Sequence, residues 1–135
     1  MKRIGFIIII AILAILNVYQ YLISMEQLDR KDIDGKFSST INKIATDIST
    51  ESSIAVLEDL VELNTLSKYT SYAVTDGGFI VDYPSILLTE YRNLVNFNKA
   101  LSNQPQLVQS LRELSKDPNN KLISEKVISL LKENL

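Results

Sequence analysis

The chain contains no cysteine and no histidine, and only four of its 135 residues are glycine and three are proline. Without cysteine there is no disulfide, no thiol nucleophile and no thiolate metal ligand. Without histidine the Ser-His-Asp triad and the ordinary zinc sites disappear as well. Neither the phosphate-cradling nor the dinucleotide-binding glycine spacing occurs. Basic runs are absent too. Setting aside Lys2 and Arg3, the 14 basic residues become 12 against 16 acidic ones, a net −4, so no nucleic-acid partner is expected. No catalytic, cofactor-binding or metal-ligating set emerges, and the expectation is a protein that is not an enzyme and carries no cofactor.

What the sequence does have is one long apolar run. Between Ile4 and Ile23 the strongly polar residues are Asn17 and Gln20 alone. Twenty helical residues span about 30 Å, the thickness of a bilayer's hydrocarbon layer. The thirteen Ile, Leu, Val and Phe residues of this run contribute about −4 to −8 kcal/mol to insertion. The segment 4–24 is therefore expected to be a transmembrane helix behind a short tail, 1–3, with lipid as partner along 4–23. A cleaved signal peptide is the rival, but the exit Asn17-Val18-Tyr19-Gln20-Tyr21 has no small-x-small site, and tyrosines suit a membrane interface. Lys2 and Arg3 nearly tie with Arg30, Lys31 and Lys36 in setting orientation. The very short tail favours N-in, a single-pass protein of the cell membrane with its C-terminal domain outside the cytoplasm. Asn17 and Gln20 begin a polar stripe that continues at Ser24 and Gln27, so both are candidates for contact with a second membrane helix. The plainer alternative leaves only Asn17 within lipid.

Beyond the span, 25–36 reads as a polar juxtamembrane stalk ending at a break near Gly35. Residues 37–135 read as a small, mainly α domain of about five short amphipathic helices with one β-hairpin. Phe37, Ile41, Ile44, Ala45 and Ile48 form one helical stripe. Ser49 to Ser53 interrupt it, and Val56, Leu57, Leu60, Val61 and Leu63 form the next, with Glu51, Glu58, Asp59 and Glu62 as a solvated acidic face. Residues 69–83, aromatic and β-branched around Asp76-Gly77-Gly78, read as the hairpin, and Pro84 as the first turn of a helix. Leu87, Leu88, Tyr91, Leu94, Val95 and Leu101 then share a face, followed by Leu107, Val108, Leu111 and Leu114. Asp117-Pro118 reads as the start of a last helix bearing Leu122, Ile123, Val127, Leu130 and Leu131.

Two clusters bear on function. Tyr69, Tyr72, Phe79, Tyr83, Tyr91 and Phe97 fall within 29 residues. On a hairpin, alternation exposes some of them, which makes Tyr69, Tyr72, Phe79 and Tyr83 the candidate partner-binding residues. The competing explanation is that a thin ribbon needs large side chains to pin it to the helices. Glu90 lies inside an apolar arc between Ile86, Phe97 and Leu101, the setting that makes general acids. The commoner explanation is an ion pair with Arg92, Arg112 or a lysine. Ser129 and Lys132 match the spacing of the penicillin-binding serine–lysine pair, but its companion motifs are missing.

These features suggest a membrane-anchored, extracytoplasmic protein–protein interaction module, an accessory or regulatory subunit of a membrane or envelope complex with a protein partner. A structural alternative rests on Lys2-Arg3-Ile4-Gly5-Phe6 before an apolar helix, which resembles the start of type IV pilin-like proteins. That resemblance implies cleavage after Gly5, a long N-terminal helix and assembly into a filament. The chain departs from it at Ile10, where the family's pattern has glutamate, and in a domain that reads as helical where the family packs a β-sheet on the long helix. A carboxylate-based hydrolase acting outside the cytoplasm is the third alternative.

Overall fold

A computed structural model of the chain describes residues 2–75 and 78–134, without the side chains of 2–11, 26, 28 and 75. Six helices follow one another: α1 (Lys2–Ser49), α2 (Ser53–Leu66), α3 (Tyr72–Thr75), α4 (Phe79–Asn96), α5 (Gln104–Lys116) and α6 (Lys121–Lys132). The mainly α architecture matches expectation. Among the described residues there is no strand, so the hairpin at 69–83 is overturned. Its first arm is the single turn α3 and its second opens α4; Asp76 and Gly77 lie outside the described residues. The reason is tertiary. Ile80, Tyr83 and Leu87 recur at helical spacing and all three are buried. Burying each is worth about 1.5–3 kcal/mol, against about 1 kcal/mol of strand preference. Pro84 accordingly sits inside α4 instead of at its first position, and Gly78, at φ 117°, takes the N-cap. That φ suits glycine alone.

Helix α1 also runs through Gly35 without the expected break. A glycine in mid-helix costs about 1 kcal/mol, and contacts on either side offset it. One residue before, Asp34 Oδ1 accepts from Ser71 N at 2.8 Å and its Oδ2 from Ser71 Oγ at 2.5 Å. Two residues after, Phe37 is fully buried and meets the Tyr83 ring edge-on at 6.2 Å. The polar segment 25–36 is thus helical throughout, and the bundle grips its last residues. The final helix begins at Lys121 instead of Pro118: Asn120 caps it by accepting from Ile123 N, and Asp117 ends α5.

The five longer helices close a ring, α1 against α2, α2 against α4, α4 against α6, α6 against α5 and α5 against α1. The whole expected stripe Phe37, Ile41, Ile44, Ala45 and Ile48 points into it, with Val56, Leu60, Leu63, Ile80, Leu87, Leu94, Leu107, Leu111, Leu114 and Val127. Successive helices alternate in direction. Gln104 Nε2, at the start of α5, donates to Ile48 O near the end of α1, while Asn103 Nδ2 donates to Leu130 O near the end of α6. The bundle therefore has a near end, where α1 enters beside 67–79, and a far end built from 48–53, 96–104 and the tail of α6.

Among the described residues no helix is long and apolar enough to cross a membrane. Residues 4–11, which begin the expected span, lie outside the described side chains; 12–25 are helical and every one is exposed. Asn17 Nδ2 donates to Leu13 O of its own helix at 2.9 Å, and Gln20 is exposed.

Candidate functional site

At the far end lies a groove of about 380 Å³ between the ends of α1 and α4 and the start of α5. Ile48, Leu94, Val95, Leu101 and Tyr91 give it apolar walls, and Glu51, Ser53, Asn98, Lys99 and Gln104 line its polar parts. Both helices that end there do so by the same device. At α1, Ser52 N donates to Asp47 O and Glu51 N to Ile48 O, with Glu51 left-handed at φ 57°. At α4, Lys99 N donates to Leu94 O and Asn98 N to Val95 O, with Asn98 at φ 51°. These are paired Schellman closures. Asparagine tolerates that conformation; glutamate is held there at a cost of about 1 kcal/mol or more.

Two helix C-termini meet at the groove, those of α1 and α4, and so do two N-termini, those of α2 at Ser53 and α5 at Gln104, so the helix ends largely offset one another. Glu51 and Lys99 add one full charge of each sign. Burial holds the Tyr91 hydroxyl above the usual phenol range, and Ser53 at the start of α2 partly offsets it. Ile54 and Phe97, each adjacent to a groove residue, are exposed.

The four aromatics expected to bind a partner are divided by the helical turn of this region. Tyr83 is 1% exposed in the core, its hydroxyl buried without a hydrogen-bond partner and its pKa raised by burial. Phe79 is half-buried against the Tyr83 ring at 5.5 Å. Tyr72 is half-buried; burial and then Asp34 raise its pKa, and Ser38 of α1 partly offsets them. Tyr69 alone stands out from the surface, 61% exposed. No single face gathers all four. Glu90 is half-buried, with Lys132 Nζ 3.7 Å from its Oε1, the ion pair of the plainer explanation. Of the expected acidic face, Glu51, Glu58 and Glu62 are exposed, but Asp59 is buried beneath Lys43. Among the described residues no group of three acidic side chains is placed to hold a metal ion.

The groove itself was not foreseen. Asn98 after the apolar run ending at Phe97 is a helix-stop signal that points to the α4 end of it; nothing local marks Glu51 as left-handed. Compared with known proteins, the chain matches no family model, no curated protein and no solved structure.

Proposed function

We propose that the protein is a membrane-anchored interaction module, an accessory or regulatory subunit whose domain stands outside the cytoplasm and offers its far-end groove to a protein partner. The observation that carries this reading is the continuity of α1. One helix is apolar and exposed over 12–25 and packed into the core over 37–48. A rigid helix between Ser24 and Ile48 places the groove about 36 Å beyond the hydrocarbon layer, at about 1.5 Å per residue. The anchor thus acts as a spacer that points the groove away from the bilayer. Apolar walls from Ile48, Leu94, Val95 and Leu101 beside the polar groups of Ser53, Asn98 and Gln104 suit a partner segment that presents an apolar side chain flanked by hydrogen-bonding groups.

A C-terminal alkaline phosphatase fusion should be active, and a reporter that folds only in the cytoplasm should be silent. Leu13→Arg should lower the membrane-bound fraction, since arginine in mid-span costs about 2.5–3.5 kcal/mol and removes much of the insertion free energy. A photo-crosslinking residue at Val95 should capture one partner, and Leu101→Asp should abolish that adduct. The same residue at Leu122, exposed at the near end, should capture nothing in common with it. Adducts from Leu122 and none from Val95 would sink the groove as the contact surface.

The same continuity also favours a second reading, the pilin-like one, in which α1 is the assembly helix. A mature N-terminus at Phe6 would select it, and one at Met1 or Lys2 would dismiss it.

A further inference from the structure

Between α1 and α2 lies a polar contact that neither the anchor nor the groove uses. Asp59 enters it from the core side, 2% exposed, because it stands three residues after Val56 and four before Leu63 on the buried arc of α2. Lys43 Nζ of α1 donates to Asp59 Oδ1 at 2.5 Å. Asp47, one turn further along α1, brings its carboxyl within hydrogen-bonding reach of the same group. The oxygens left over, Asp47 Oδ2 and Asp59 Oδ2, are both buried and both without a hydrogen-bond partner. Two ionised carboxylates against one lysine would set like charges together at a partly buried contact and leave the two buried oxygens bare, which is costly. A single proton removes both faults. It makes one carboxyl the donor and the other the acceptor, and it brings Lys43, Asp47 and Asp59 together to neutrality.

We propose that Asp59 carries a proton that it donates to Asp47, and that this hydrogen bond across the contact latches α2 onto the helix that carries the anchor. Deprotonation sends the proton to solvent and sets two like charges against each other across the α1–α2 contact. The charges that act on the pair come from Lys43 and Asp47 of α1, with Glu62 of α2 acting on Lys43. Burial pushes the Asp59 carboxyl up, Lys43 pulls it back, and Asp47 pushes it up again. The sign follows from an acid whose folded pKa is raised. Its contribution to stability is complete below the unfolded carboxylate pKa and is lost as pH rises through the folded one. Acidification into the mildly acid range tightens the α1–α2 contact, and alkalinity loosens it.

The test uses the full-length protein in lipid nanodiscs with carbon-13 in its aspartate carboxyls. The Asp59 carboxyl is expected to titrate above the free aspartate range. Amide protection in 43–63, corrected for the intrinsic pH dependence of exchange, should fall as pH rises through that titration. Asp59→Asn keeps an acceptor for Lys43 and gives Asp47 a permanent donor, so it should abolish both the raised titration and the pH-dependent loss. Asp47→Asn, at a more exposed position, should do the same from the other side and stands in if Asp59→Asn does not fold. Aspartates that all titrate in the ordinary range, or protection that falls equally in both variants, would overturn the proposal.

Discussion

Residues 12–25 and residues 37–48 belong to one helix and carry much the same kind of side chain, yet they meet opposite surroundings. Ile15 is 68% exposed, while Phe37, Ile41 and Ala45 are fully buried. The first stretch is apolar over most of its circumference, broken only by Asn17, Gln20 and Ser24, and the second on one stripe only. A largely apolar helix has little solvated face to turn outward, whereas a striped one docks on a bundle. The arrangement of side chains around the helix, and not apolar content alone, separates the stretch that packs into this bundle from the one that does not.

The sharpest way to break that comparison is to remove one side chain from each half. Phe37→Ala should cost the domain about 3–5 kcal/mol, a large part of the roughly 5–15 kcal/mol that holds a small domain together. Ile15→Ala should move the domain's urea midpoint by less than the equivalent of about 0.5 kcal/mol. Circular dichroism in nanodiscs reads both. Equal losses would mean that residues 12–25 pack against protein.

A smaller effect belongs to the joint between the halves, where Asp34 accepts both Ser71 hydrogen bonds. Asp34→Ala should cost about 1–3 kcal/mol, because it strands the Ser71 N–H. Amides of residues 71–74 should exchange faster while those of 44–48 keep their protection. If protection falls evenly along α1, the near end is not a separate clamp. The smallest effect is at the far end of the same helix. Glu51→Gly should gain about 0.5–1 kcal/mol by relieving the left-handed backbone, and Asn98→Gly almost nothing, since asparagine already tolerates it. Equal gains from both would show that the Glu51 backbone stores no strain of its own.

Much of this was legible because it is periodic. The stripe from Phe37 to Ile48 and the set Leu107, Val108, Leu111 and Leu114 repeat at helical spacing, and every member is buried. Asp59 was legible in principle: its spacing from Val56 and Leu63 places it on the buried arc, but its charge argued for solvent. The hairpin misled because aromatic and β-branched residues favour strands locally, while Ile80, Tyr83 and Leu87 already stood at helical spacing. Composition and period disagreed there, and period prevailed.

An apolar N-terminal run, a mainly helical domain and most of its core follow from residue spacing alone, since a helix's buried face is written in intervals of three and four residues. Tertiary structure decided what intervals cannot carry. Whether α1 survives Gly35 depends on Ser71, 37 positions from Asp34. Whether Asp59 is buried depends on Lys43 and Asp47 of another helix, and the groove exists only where the ends of α1, α4 and α5 arrive together. Local preferences amount to about 1 kcal/mol a residue, and burial of a large side chain exceeds them. The final arrangement therefore follows from which distant residues meet.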